Sequence, residues 1–526
     1  MKKIWLAIWL GFGLAAWGTY AQTLNDLYTY NSEYDFGTAR YLGTATTMMS
    51  LGADMSAVSD NPAGAAYFTT NRITYSPGFN HLNNTAAYNG NKTLSNDYSF
   101  YHHLMFTHQL GFVMPYVSDV SDWNKVALGI NYQRSQNYFN RIKMEGTSPN
   151  MQSLADYFVI NATGIPTGDL DVYSGETDTE VYEWLGENYG TPAQHAFLGY
   201  QTYIIDPVNN DDDNTEYTSN AQYSSPLFHS IVMNTSGHKA FGDFFLAAEY
   251  KEKLALGVSF RASHLEYSEK RKITEEGYDA NSTLQYLAYQ SNLSTEADGY
   301  GFKLGATYKL NDRIKISAAY HSPVWWEINE KTTESVSTDI KDNDDWDNDG
   351  DTNEIFRFDL DPATVNTFEP YRMVSPGKFL IGASYVNKKY GFISVKYTRR
   401  NWQNLHLEAL SDDAASMEYF DRLTEAAQEA FGIETTLAVG GEFKVDHLMI
   451  RAGYKDIANP VKALENFHEH RWTFGLGYDF GNIDVDFGIV SGNQKQIRQI
   501  LPVGLTNTYD IHTRRNQYVF TVKANF

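Results

Sequence analysis

Apolar and polar residues alternate along most of this chain, and the alternation is cleanest at its end. Tyr518, Phe520, Val522, Ala524 and Phe526 share one parity, whereas Gln517, Thr521, Lys523 and Asn525 share the other, with Val519 the apolar exception. A period of two means a strand with one face in an apolar medium. The pattern recurs in pairs: Leu110 to Tyr116 with Val126 to Asn137, Gly242 to Tyr250 with Leu254 to Ser263, and Tyr300 to Lys309 with Ile314 to Trp325. Phe379 to Val386 pairs with Phe392 to Arg400, Leu437 to Lys444 with Leu448 to Lys455, and Trp472 to Tyr478 with Ile483 to Ile489. Arg72 to Leu82 and the C-terminal strand complete an even set. Even numbers suit a closed single-chain barrel, because in lipid every backbone group must be satisfied within the wall. The expected fold class is all-β: a 14-stranded antiparallel transmembrane β-barrel.

The connections orient it. Within pairs the links are turns: Lys251-Glu252-Lys253, Asn311-Asp312-Arg313, Asn387-Lys388-Lys389, Val445-Asp446-His447 and Gly481-Asn482, with a longer first link through Asp119 and Asp122. Between pairs they grow to roughly 100 residues, the asymmetry of periplasmic turns and outer loops. Both termini are then periplasmic. A β-propeller would instead repeat at a fixed period of about 40 to 50 residues. So wide a barrel leaves a lumen that its own wall side chains do not fill. Residues 22–71 are the expected plug, carrying the small-residue stretch Leu51 to Ser59 and the turn-forming Asn61-Pro62. They are far fewer than the plug of a siderophore receptor, so energised transport is not expected. Met1-Lys2-Lys3, the apolar stretch Ile4 to Trp17, and small Thr19 and Ala21 read as a signal peptide over 1–21. The expected organisation is thus 1–21 leader, 22–71 hatch and 72–526 barrel with long outer loops.

Composition narrows the function. With 41 Lys+Arg against 64 Asp+Glu the net charge is −23, unsuited to the phosphate neutralisation that nucleic-acid binding needs. There are no cysteines, which excludes a disulfide scaffold, a thiolate metal site and a cysteine nucleophile. Mean hydropathy of −0.45 excludes a bundle of transmembrane helices.

The stretch Gly37 to Gly43 followed by Asn61-Pro62-Ala63-Gly64 resembles the hatch of the FadL/TodX family of outer-membrane transporters. Gly111-Phe112-Val113-Met114-Pro115 ahead of Val126 to Asn131 also fits, as does Gly299-Tyr300-Gly301-Phe302-Lys303 ahead of Ser317 to Ser322. So does Leu448 to Tyr454 with Pro460 after it. Leu42-Gly43-Thr44-Ala45-Thr46 departs from the Met-Gly-Gly-Ala type of run usual in relatives. The resemblance implies uptake of long-chain fatty acids and other hydrophobic compounds in a Gram-negative outer membrane. It further implies capture by the outer loops, an apolar pocket above the hatch, and gating by hatch movement near Asn61, Pro62, Ala63 and Gly64.

Parity selects the lumen charges. If Ile393, Val395 and Tyr397 face lipid, Lys396 and Arg400 face inward; the same count places Arg261, Lys303 and His321 inside, with Arg451 and Lys523 nearer the periplasmic end. A charge on the lipid face would cost about 2–4 kcal/mol at mid-membrane. These cations suit the carboxylate of an amphipathic ligand, or else pair with inward Glu249, Glu442, Asp484 and Asp486 in a merely polar lumen. The acidic run Asp342 to Glu354 is a candidate calcium loop: Asp345, Asp347 and Asp349 alternate ahead of Gly350, with Asp351 and Glu354 available to complete the shell. Phe356 at the twelfth position excludes a regular EF-hand; a solvated acidic loop is the competing reading. His102, His103, His108, His468 and His470 are read as loop histidines, without zincin spacing. No nucleophile elbow, Walker loop or dinucleotide fingerprint occurs.

The expectation is a non-enzymatic, monomeric, passive channel for hydrophobic or amphipathic small molecules in the outer-membrane lipid, with no cofactor beyond the candidate Ca2+. The alternatives are a surface receptor or adhesin barrel, including a haem binder, and an outer-membrane hydrolase. Calcium titration of the purified protein is expected to show a site of about 10⁻⁴ to 10⁻³ M that is lost in the Asp347→Ala/Asp349→Ala variant. No heat at millimolar calcium would return the loop to the solvated reading.

Overall fold

The structure, a computed structural model, describes residues 23–96, 106–118, 121–342 and 353–526. The leader lies outside them. The expected strands form in order: β1 (Arg72–Tyr88), β2 (Phe106–Val117), β3 (Trp123–Asn137), β4 (Phe228–Tyr250), β5 (Leu254–Glu276), β6 (Leu284–Lys309) and β7 (Ile314–His321). Then come β8 (Lys378–Asn387), β9 (Gly391–Asn401), β10 (Ile433–Val445), β11 (Leu448–Ala458), β12 (His468–Asp479), β13 (Ile483–Gln499) and β14 (Thr508–Asn525). Each pairs antiparallel with the next, and β14 returns to β1 from Arg72↔Asn525 to Ala87↔Asp510. The wall closes as a 14-strand barrel with no free edge, as a lipid-embedded sheet requires.

Parity is as read. Phe244, Leu246, Leu256, Val258, Phe260, Leu304, Ile393 and Val395 are exposed on the outer face. Aromatic pairs mark its two rims: Trp123 with Tyr250 at 5.2 Å on the turn side, Tyr300 with Trp325 at 5.6 Å and Tyr454 with Trp472 at 4.6 Å on the loop side. Such girdles flank the apolar band of a membrane barrel.

Several strands run far past that band. β4, β5 and β6 have 23, 23 and 26 residues and reach well beyond the expected segments. Above the loop-side girdle the backbone ladder continues while the alternation changes sign. On β5, Leu256, Val258 and Phe260 face out below, whereas above Leu265, Tyr267 and Ile273 are buried inside and Glu266 and Lys270 lie outside. A second departure is the expected Ile314 to Trp325 strand, which breaks at Ser322-Pro323. β6 pairs with β7 up to Lys303↔His321, then from Tyr300↔Trp325 with a separate strand, Val324–Lys341. Proline has no N–H for the ladder; before it, Ser322 donates its N–H to Phe302 O at 2.9 Å and accepts the Phe302 N–H on its Oγ at 2.9 Å.

The hatch threads the lumen. Its helices are α1 (Leu24–Asn31), α2 (Ala39–Gly43) and α3 (Met55–Asp60), followed by a 3₁₀ segment, Pro62–Tyr67. Each starts on a side-chain cap, from Thr23, Thr38, Asp54 and Asn61 respectively, which satisfies amides that a short helix otherwise leaves open. Val519, the exception in β14, faces inward against Ala39, Tyr41 and Leu42. Wall glycines admit the hatch backbone: a Cβ at Gly305 would overlap Asn61 Oδ1, and one at Gly257 would overlap the Pro62–Ala63 peptide.

The long second outer loop is not irregular. It contributes strand Asn140–Thr147 and helices α4 (Ala155–Ala162), α5 (Thr167–Leu170), α6 (Asp178–Tyr189) and α7 (Thr191–Gln201). Phe158, Leu185 and Phe197 pack with Ile231, Ile273, Leu287 and Val336 of the extended strands in one core. A further helix, α8 (Ala414–Ala430), buries Phe420 and Ala427 over α1.

Gly305→Val is expected to unseat the hatch and raise single-protein ion conductance in planar bilayers. Gly242→Ala, where an added Cβ meets open space, is the matched control and should conduct as the wild type does. Equal, low conductance in both variants would mean that the hatch does not seal the lumen through this contact.

Candidate functional site: the hatch and the lumen above it

Three of the cations selected by parity converge on the end of α3. Lys303 Nζ donates to Ser59 O at 2.6 Å, and His321 Nε2 is 2.8 Å from Asp60 O. The Asp60 carboxylate accepts from Lys396 Nζ at 2.7 Å and from the Tyr41 hydroxyl at 2.6 Å. The Lys303 and Lys396 ammonium groups at this helix C-terminus meet its partial negative charge, and the His321 ring adds a hydrogen bond. The Asn61 side chain then accepts the Ala63 N–H at 3.2 Å and donates to Met49 O at 3.1 Å and Thr307 Oγ1 at 2.9 Å. Pro62 occupies the first turn, where its missing N–H is harmless. Gly64 O accepts the Ala53 N–H at 3.0 Å, folding the hatch on itself. The motif and the lumen cations, read separately from the sequence, form one latch.

The other two cations differ. Arg261 binds Asp243 with two bonds, at 2.9 and 3.1 Å, and covers the Phe241 ring; Lys303 shares that carboxylate at 2.6 Å. Arg400 lies higher, donating to Asn31 O at 2.8 Å over the Trp402 ring. The expected counter-ions Glu442 and Asp486 are both taken by Arg451 at 2.6 Å, with Arg40 on the first and Lys523 on the second. Glu249 holds Lys125 at 3.3 Å and also Lys309; Asp484 is half-buried at the turn side. Asp243 was findable, since Phe244 and Leu246 facing lipid turn it inward. The hatch partners Glu33, Asp35 and Asp60 lie in aperiodic sequence that offers no such signal.

Above the latch lies a cavity of about 160 Å³ lined by Asp60, Arg261, His321, Lys396, Arg400 and Trp402, among others. A smaller one of about 40 Å³ adjoins it between Lys239, Arg261, Lys378 and Arg400. On its far side Asp35 is held by Lys455 at 2.6 Å and Arg471 at 2.7 Å. The space directly over the hatch is thus charged, where the family resemblance implied an apolar pocket. Higher up, Leu27 and Tyr30 of α1 pack in an apolar cluster with Tyr267, Trp326 and Tyr371, and the Tyr30 hydroxyl donates to Glu330 Oε1 at 2.7 Å.

Of the calcium candidates, Asp345, Asp347, Asp349 and Asp351 lie outside the described residues. Glu354 is half-buried just before the strand Ile355–Leu360, its carbonyl accepting from Asp342 N at 2.9 Å. Among the described residues no group of three His, Asp or Glu side chains is placed to hold a metal. Two histidine placements are corrected. His108 is buried in the wall on β2, stacked on Phe106, because β2 starts earlier than the apolar pattern suggests. His468 and His470 stand on β12 rather than in a loop, both pairing with Asp456 of β11, at 2.8 and 2.9 Å. His102 and His103 lie outside the described residues.

No family model and no curated protein matches the chain. Among solved structures it is similar to the Pseudomonas putida toluene transporter TodX, with a TM-score of 0.50, 14% identity, and 94% of this chain and 99% of that one covered. It is likewise similar to a Pseudomonas aeruginosa FadL homologue, with a TM-score of 0.51, 12% identity and coverage of 94% and 99%. The chain shares the fold of these proteins.

Removing one partner of a buried ion pair costs at least about 3 kcal/mol, roughly a hundredfold in a local opening equilibrium. Asp60→Ala, which leaves Lys396 buried and unpaired, is expected to speed amide hydrogen exchange across Met55–Tyr67 by that factor while β9 exchanges as before. Unchanged exchange would show that the latch does not hold the hatch.

Proposed function

We propose that this protein is a passive outer-membrane channel for hydrophobic or amphipathic small molecules, gated by its hatch. The observation that carries the reading is the position of the latch: Lys303, His321 and Lys396 grip residues 59–60 at the floor of a cavity that also exposes Arg261 and Arg400. An anionic head group entering that cavity meets Arg261 and Arg400 and competes with Asp60 for Lys396. Losing the Asp60 contact loosens the end of α3 and the Asn61-Pro62 turn that follows. The outer apolar band and rim aromatics support residence in an outer membrane, and the solved structure of similar fold described as a toluene transporter supports a hydrophobic cargo. The fold shared with a solved structure described as a transporter supports a transport role.

A charge-assisted hydrogen bond contributes roughly 1.5–3 kcal/mol, or about ten- to a hundredfold in affinity. Arg261→Ala is therefore expected to weaken dodecanoate by that factor and to leave the matched alkane, dodecane, within about twofold, measured by binding to purified protein and by uptake into proteoliposomes. Equal loss for both ligands would mean a deformed pocket. Uptake no faster than in protein-free vesicles would refute the channel.

A further inference from the structure

Above the loop-side girdle the wall still has an outer face, although it has left the apolar band. Strand Asn140–Thr147, β4, β5, β6 and strand Val324–Lys341 run side by side there. Their inward residues, among them Ile142, Ile231, Ile273 and Val336, pack against helices α4 to α7. Their outward residues are set by register. One row runs Arg141, Asn234, Lys270, Asn292, Thr333, and the next runs Lys143, Val232, Lys272, Gln290, Ser335. Lys331 stands beside Ser294, one step nearer the girdle.

This is a basic face on an acidic protein of net charge −23. Lys143 is paired with Glu145 at 2.6 Å. Arg141, Lys270, Lys272 and Lys331 are exposed, and among the described residues none of them makes an ion pair. Nearer the girdle the same outer face carries exposed Glu266, Glu296, Asp298 and Glu327, so the basic rows form a tier of their own. Their height narrows the partner. Counting from Tyr300 to Ser294 and Gln290, at about 3.4 Å per residue and a tilt of about 40°, sets the rows roughly 15 to 25 Å above the girdle. The headgroup layer of an ordinary bilayer adds only roughly 5 to 8 Å on each side. A simple phospholipid therefore stops short of these side chains, whereas a lipid headed by a charged oligosaccharide reaches them.

We propose that this face binds the phosphorylated oligosaccharide headgroup of an outer-leaflet glycolipid of the lipopolysaccharide kind, with Arg141, Lys270, Lys272 and Lys331 as its ligands. Strands about 4.8 Å apart set Arg141 and Lys270 roughly 10 Å from each other across β4, so the face meets several fixed charges of one headgroup at once. A single phosphate would touch one or two of them. Each basic side chain near an anionic membrane surface contributes about fivefold in affinity. The inference rests on residence in the outer membrane, as read above, and is independent of the cargo and of the hatch.

Arg141→Gln/Lys270→Gln/Lys272→Gln/Lys331→Gln changes exposed side chains only, so the fold is kept. Binding of rough-type lipopolysaccharide to the purified protein in detergent is expected to be at least about tenfold weaker in this variant than in wild type. Wild-type binding should fall as salt rises from about 50 to 300 mM, and lipopolysaccharide stripped of its phosphates should bind both proteins alike. Phosphatidylglycerol, whose charge lies at girdle level, should not distinguish them. Equal lipopolysaccharide affinity in wild type and variant would overturn the inference. A loss for phosphatidylglycerol as large as that for lipopolysaccharide would overturn the oligosaccharide as the group recognised. Polyglucuronate bound more tightly than lipopolysaccharide would overturn the lipid and give the face to a soluble acidic polysaccharide. Dodecanoate uptake should be the same in both proteins. Wild type that binds lipopolysaccharide but takes up no dodecanoate would sink the channel reading and leave this face standing.

Discussion

Hydrocarbon offers no partner for a backbone amide, and almost every feature of this molecule follows from that. The wall must close on itself, so β14 returns to β1 along nearly its full length. Closure at this strand number leaves a lumen that the wall alone does not fill. A segment of irregular chain then has to lie inside the barrel, with its own polar groups satisfied away from bulk water. The hatch meets that demand with four side-chain caps, a self-folded Ala53–Gly64 contact, and wall side chains such as Thr307 and Lys303 that pair with its remaining amide and carbonyl groups.

The same strands serve two solvents. Within the apolar band the outer face is greasy and the inner face charged; above it the order is reversed, and β4 to β6 enclose an ordinary apolar core. The reversal accounts for what the sequence showed and what it hid. Strand existence, pairing and parity in the band were legible because Phe244, Leu256 and Ile393 must meet lipid whatever they pack beside. Strand ends were not, because a window centred on Leu265 or Ile273 keeps its period of two but swaps the meaning of its faces. The Ser322-Pro323 break was visible as a residue but not as a fork, since the choice between β7 and Val324–Lys341 is made by pairing across the sheet. Helices α4 to α8 lay in loops where no lipid face constrains the pattern.

The site divides along the same line. Lys303, His321, Lys396, Arg261 and Arg400 were legible as inward cations, because lipid excludes them from the other face. What they touch was not. Their partners are a hatch carboxylate, hatch carbonyls and Asp243, and those contacts depend on how an aperiodic segment folds within the lumen. The expected opposition between ligand-binding cations and cations that merely pair does not hold at Lys396. It is paired, but with a carboxylate of the hatch rather than of the wall.

A latch built from charges differs from one built from packing. An apolar seal is opened only by another apolar group, and its strength varies little with what else is present. Exchanging the Lys396–Asp60 ion pair for one with a ligand's carboxylate keeps the lysine neutralised but strips Asp60 of its cation, which favours movement of Asp60 toward water. In the channel proposed above, the lumen would respond to the sign of an incoming group as well as to its greasiness. There the Lys396–Asp60 pair would couple an incoming head group to the chain segment in its way.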